Sequence, residues 1–153
     1  MKRLLIVLML IILPIVSFAD QQAWIICQPG DWVNARSRAS SHSSSEGSYY
    51  AGDCITVDGE EKAGFTHVVD SSFEVSECWV ASGYVSYSEP IQINARATVI
   101  SKGRVRARKC IDGKRRKWLE GGERLQVYYL AGDWAVTSEG FVQREFLRIE
   151  GID

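Results

Sequence analysis

The hexapeptide DWVNAR, Asp31 to Arg36, returns later in the chain as GRVRAR, Gly103 to Arg108. In the first, Val33 and Ala35 alternate with polar neighbours; in the second, Val105 and Ala107 do the same. A two-residue period of this kind marks a strand with one buried face. The copy extends outward. Ala51-Gly52-Asp53-Cys54-Ile55-Thr56-Val57 is matched by Gly121-Gly122-Glu123-Arg124-Leu125-Gln126-Val127, each a glycine turn opening an alternating strand. Phe65-Thr66-His67-Val68-Val69 is matched by Asp133-Trp134-Ala135-Val136-Thr137. Trp79-Val80 followed by Tyr84-Val85 is matched by Phe141-Val142 followed by Phe146-Leu147. Four landmarks repeated in one order indicate an internal duplication. The copies show short strand patterns, glycine turns and no helical period, the signature of small antiparallel barrels or sandwiches. The expected fold is all-β: two tandem small β-barrels, at 20–88 and 92–153, each of four or five strands, joined by the polar Ser86-Tyr87-Ser88-Glu89-Pro90.

Residues 1–19 read differently. Lys2 and Arg3 precede an apolar run, Leu4 to Val16, broken only by Pro14 and closed by Ser17-Phe18-Ala19. That is the arrangement of a secretory signal peptide cleaved after Ala19. The run is short for a ~20-residue membrane span. No later segment is apolar enough to cross a membrane as a helix, so the expected location is secreted, periplasmic or in the cell envelope. Charge divides between the two copies. Asp20 to Pro90 carries eleven acids and three bases; Ile91 to Asp153 carries thirteen bases and eight acids. Such asymmetry points to contact between the halves or to an anionic partner for the second. Export makes nucleic acid a poor candidate.

The strand and loop patterns resemble the bacterial SH3 (SH3b-like) domain. The resemblance rests on Val33-Asn34-Ala35-Arg36-Ser37, on the glycine-led strands, and on the endings Trp79-Val80 with Tyr84-Val85 and Gly140-Phe141-Val142 with Phe146-Leu147. Arg38-Ala39 stands where Gly-Pro is usual, and Cys78 where glycine is usual. The resemblance implies SH3-like barrels and non-catalytic binding of a cell-wall peptide or glycan, or of an exported protein, in a groove framed by loops. Aromatic residues suit such a groove because they combine apolar area with a polar tip. Tyr49, Trp79 and Tyr84 are the candidates in the first copy, Trp118 and Trp134 in the second. The alternative is an adaptor that self-associates through its acidic and basic halves.

The basic stretch from Lys102 to Lys117 holds nine Lys or Arg residues and one acid, Asp112. Its first part is the opening strand of the second barrel. Lys114, Arg115, Arg116 and Lys117 fall in the loop expected after it, either as a solvated face or as an anion-binding site.

Four cysteines in an exported chain favour disulfides. Cys54 with Cys78, on elements expected to be neighbours, is one pairing. Cys27 with Cys110 would be the other, unless Cys27 bonds within the first barrel and Cys110 stays free. No CxxC pair and only two histidines, His42 and His67, give no Cys/His metal signature. No cofactor or metal is expected. Cys54 lies on a strand rather than at a helix N-terminus, where a thiolate would be activated, so an enzyme is not expected.

Overall fold

The computed structural model describes residues 19–152, so the signal-peptide reading falls, except for Ala19, outside the described residues. The regular structure of the described chain is almost entirely antiparallel β-strand. The first seven strands are β1 (Gln21–Ile25), β2 (Trp32–Arg36), β3 (Ser45–Tyr50), β4 (Cys54–Lys62), β5 (Phe65–Val68), β6 (Cys78–Ala81) and β7 (Val85–Ser86). The second seven are β8 (Ile91–Val99), β9 (Val105–Arg108), β10 (Arg115–Leu119), β11 (Arg124–Ala131), β12 (Trp134–Thr137), β13 (Gly140–Gln143) and β14 (Leu147–Ile149). The spatial orders are β3-β2-β6-β5-β4-β1-β7 and β10-β9-β13-β12-β11-β8-β14. Adding seven to each label of the first sheet gives the second, so the duplication holds at the level of strand pairing. One 3-10 turn, Ser82–Tyr84 or Arg144–Phe146, precedes the last strand of each copy.

Alternation fixes which side chains enter each core. Val33 and Ala35 on β2 are buried, as are Val105 and Ala107 on β9. They join Ala23, Ile25, Ile55, Val57, Val68, Val80 and Val85 in the first barrel. In the second they join Ala97, Val99, Leu119, Leu125, Val127, Val142 and Leu147. Complete burial of a Val, Ile or Leu side chain is worth ~1.5–3 kcal/mol, and domains of this size bury little surface in total. Neither core has much stability to spare.

A third apolar cluster joins the two copies. Ile26 follows β1 and therefore points away from Ile25 and out of the first barrel. It packs, fully buried, with Tyr129, Ala131, Trp134, Val136 and Phe141 of the second barrel. Tyr84 and Ile111 lie against the same cluster. The Cys27 N–H donates to the Tyr129 hydroxyl at 3.2 Å. The Ile111 N–H donates to the Gly83 carbonyl at 2.9 Å. A methyl group on Gly83 would lie 2.6 Å from the Cys110 Sγ, so glycine is required for this approach. The two barrels are thus held together by a small apolar core bordered by backbone hydrogen bonds.

The structure corrects three expectations. Each copy has seven strands rather than four or five. Residues 115–118, expected in a loop, belong with Leu119 to β10: Leu119 is buried and Arg106 pairs directly with Trp118 on the outer face. Third, all four cysteines are free thiols. Cys54 is exposed and pairs with Trp24, whereas Cys78 is buried with its Sγ 3.7 Å from the Tyr49 hydroxyl. With β5 between β4 and β6, the two thiols are on non-adjacent strands and opposite faces. Cys27 and Cys110 both border the contact between barrels, also as free thiols.

Candidate ligand-binding faces

The hairpin β2–β3 and its copy β9–β10 present the most distinctive side chains. With Val33 and Ala35 turned inward, Trp32 and Asn34 must face out. Tyr49 and Tyr50 are consecutive, so one points in and the other out. The register sets Trp32 directly opposite Tyr50 and Asn34 opposite Ser48. Trp32 is 59% exposed and Tyr50 57%. Cross-strand partners have Cβ atoms ~5 Å apart, so the two side chains leave the sheet next to each other and give an exposed aromatic platform with an amide and a hydroxyl beside it. The Tyr50 N–H donates to the Asp53 carboxylate at 2.7 Å, which ties down the turn after β3. Exposing two large rings side by side leaves apolar area in water with nothing in the described fold to cover it.

The equivalent face of the second barrel has another chemistry. Trp118 sits between two guanidiniums, Arg115 at 4.9 Å and Arg106 at 5.4 Å from its ring centroid. Arg104, Val105, Arg106, Arg108, Trp118, Gln143 and Phe146 line a concavity of about 300 Å³ there. Some of the charges are already spent. Arg104 pairs with Glu120 at 2.9 Å, and Arg108 donates to the Gly113 carbonyl at 2.9 Å. Lys117 pairs with Glu139 at 3.2 Å and Glu123 at 3.5 Å, which raises its pKa above the usual lysine value. Lys114, Arg115 and Arg116 are exposed. Of the four bases expected to hold an anion, Lys117 is therefore the one with carboxylates on it, while Arg106, not among the four, stands next to Trp118.

The remaining aromatic candidates separate. Tyr49 is core, 3% exposed, with its ring 4.9 Å from Phe73. Burial raises its hydroxyl pKa to about 12. Trp134 is 9% exposed and belongs to the cluster between the barrels. Inward alternation claims Tyr49 for the core, while Trp134, mostly buried by the second packing surface, only borders a concavity of about 520 Å³ that Gly83, Tyr87, Ile111 and Gly132 also line. Tyr84 is half-buried, its ring 6.3 Å from Phe141 across the contact. Trp79 is half-buried under His67, the ring centroids 4.6 Å apart. A separate cleft of about 360 Å³ opens between the barrels, lined by Pro29, Ala51, Gly52, Pro90, Gln92 and Tyr128, among others. It begins one residue from Tyr50. Sequence reasoning passed over Trp32 and Tyr50, although the alternation that placed Val33 and Ala35 inside already required Trp32 outside.

The histidine and cysteine positions bear on catalysis. His67 has carboxylates as polar partners, Asp58 at 2.8 Å among them, and no cysteine. Burial raises the Cys27 thiol to about 11 and also lifts those of Cys78 and Cys110, the opposite of an activated nucleophile. Among the described residues no helix is long and apolar enough to cross a membrane.

No family model matches the chain, and no curated protein matches it. Among solved structures it is similar to NlpC1 from Trichomonas vaginalis, at 14% identity and TM-score 0.36, over 85% of this chain and 46% of that one. NlpC2 from the same organism gives 13% and 0.36, over 89% and 51%. The chain thus spans about half the length of each. The endolysin LysPBC5 CBD gives 14% and 0.33, over 86% of this chain and 94% of that one. With TM-scores this low, these likenesses assign no function to the chain.

Proposed function

We propose that the protein is an exported, non-catalytic binding module that recognises a cell-wall peptide or glycan through its two hairpin faces. The observation that carries the reading is the Trp32–Tyr50 platform, two exposed rings held in register on a rigid hairpin. A sugar ring or an extended peptide can stack on such a surface while Asn34 and Ser48 supply hydrogen bonds beside it. Aromatic side chains of this kind dominate many binding energies because they offer large area at low entropic cost. The Arg106–Trp118–Arg115 face of the second barrel adds attraction to phosphate or carboxylate groups on the same polymer, an effect screened by salt. Packing through Ile26 fixes the two faces relative to each other, so a ligand that engages both avoids the entropic cost of a loose linker. The leader-like residues 1–19 support export, and the raised thiol pKa values support a role without covalent chemistry.

The test is retention of the purified protein on peptidoglycan sacculi at low salt and at ~0.5 M, where screening is short-range. Binding that persists at high salt and disappears in Trp32→Ala/Tyr50→Ala supports the aromatic reading. The adaptor reading predicts instead self-association that dissolves at high salt, with no retention on sacculi. Retention that the double variant leaves unchanged would refute the proposed face.

A further inference from the structure

The outer surface of the first barrel carries a second cluster, formed by a β-bulge. Strand β4 pairs with β5 as Val57↔Val68 and then as Glu61↔Thr66, so β4 has two more residues than its partner over this interval. The excess is accommodated at Asp58-Gly59-Glu60, where Gly59 has φ +83°, a conformation that favours glycine. Across this bulge Asp58 and Glu60, two apart and so on one face, both stand against His67. The Asp58 Oδ2 lies 2.8 Å and the Glu60 Oε2 4.0 Å from His67 Nδ1. The opposite ring nitrogen, Nε2, is 3.8 Å from the Glu77 carboxylate. His67 is paired in register with Trp79 and lies over its ring, with 12% of its side chain exposed. The Glu60 N–H donates to Asp58 Oδ1 at 2.9 Å, which holds the aspartate with its other oxygen toward the imidazole.

We propose that Asp58, Glu60 and His67 form a binding site for a first-row divalent transition metal such as Zn²⁺. One ligand atom from each lies within 4.8 Å of the other two. Two donors on one tetrahedral zinc ion, each ~2.1 Å from it, are about 3.4 Å apart. The observed separations of 2.8 and 4.0 Å bracket that value, and Glu60, with an exposed side chain, can rotate to meet it. The ion takes the place of the proton between Nδ1 and Asp58. Glu77, exposed and 3.8 Å from Nε2, is free to close onto the Nε2–H and complete the carboxylate–histidine–metal arrangement that fixes the imidazole tautomer in many metal sites. Trp79 fixes the plane of the ring. An imidazole with two carboxylates suits zinc, manganese or nickel better than calcium or magnesium, which favour all-oxygen shells. No thiol belongs to the group, and positions remain open for water or for a donor atom of a ligand.

The experiment is calorimetric titration of the purified protein with Zn²⁺, in a Cys54→Ser background that removes the exposed thiol. One saturable ion per chain is expected, with affinity reduced at least tenfold in His67→Gln and in Glu60→Gln. Glu60 is on the surface, so its variant stays folded even where His67→Gln does not. Ca²⁺ should bind far more weakly than Zn²⁺. Three results would overturn the site: no saturable Zn²⁺ binding in the Cys54→Ser background, Zn²⁺ affinity unchanged by Glu60→Gln and His67→Gln, or equal binding of Ca²⁺ that ignores His67.

Discussion

Replacing Ile26 by alanine tests whether the two barrels act as one body. Ile26 is fully buried, yet its side chain lies outside its own barrel's core, among Tyr129, Trp134 and Phe141. The change deletes three carbon groups, worth about 2.4 kcal/mol at ~0.8 each. The aromatic rings around them are anchored in the second barrel and cannot collapse fully, so a residual cavity raises the loss to about 3–4 kcal/mol. A small domain has a total stability of only ~5–15 kcal/mol. Because the lost contact is shared, its removal uncouples the barrels as well as weakening them. Urea denaturation followed by tryptophan fluorescence and by amide exchange should show one transition in the parent protein. Ile26→Ala should show two transitions, each with a smaller dependence on urea, since each exposes less surface. A loss below about 1 kcal/mol with a single unchanged transition would refute the reasoning. It would mean that the contact contributes little and that each barrel stands on its own core.

Other consequences are simpler to read. Thiol labelling of the native protein should modify Cys54 first and Cys110 more slowly, with Cys27 and Cys78 protected until unfolding; early reaction of Cys27 would contradict its burial. Burial holds the Cys27 thiol near 11 against 9.0 in the open chain, and the Tyr49 hydroxyl near 12 against 10.0. Both groups therefore bind protons more tightly when folded. Their contribution is intact below pH 9 and is lost from pH 9 to 11 for Cys27 and from pH 10 to 12 for Tyr49. Thermal melts should fall over that range, and Cys27→Ala should flatten the first part; a melt rising between pH 9 and 11 would reverse the sign. Arg106→Ala/Arg115→Ala should abolish only the salt-sensitive part of binding to an anionic polymer, measured as the slope of retention against salt, while leaving stability within ~0.5 kcal/mol.

The core of the account was legible because the duplicated landmarks carry the strand period. Val33, Ala35, Val105 and Ala107 were assigned inward by alternation alone, and they are inward. The strands outside the repeated landmarks are β1, β3, β8 and β10, and of these β3 and β10 are rich in Ser or in Lys and Arg. Such composition reads as loop, whereas hairpin pairing with the adjacent β2 and β9 overrides it. Tyr49 and Trp134 could not be separated from groove residues by residue type, since an aromatic serves a core and a binding face equally well. Trp134 in particular is buried by the partner barrel, a contact that no local pattern encodes. The cluster at His67 was hidden for a related reason. Asp58 and Glu60, two apart on a strand, share a face by alternation, but the register that sets them against His67 of the next strand passes through a bulge that the sequence does not announce. The expected Cys54–Cys78 pairing assumed adjacent strands, and the interposed β5 removes that premise.

The most direct test of the central claim is retention on sacculi of Trp32→Ala/Tyr50→Ala beside the parent protein, at ~0.5 M salt where the arginine face is screened. Both residues are exposed, so the double variant should keep the parent's melting behaviour. At least a thirtyfold weaker association is expected, the loss of a binding hot spot of about 2 kcal/mol. Equal retention of a folded double variant would contradict it and move the binding face away from the β2–β3 hairpin.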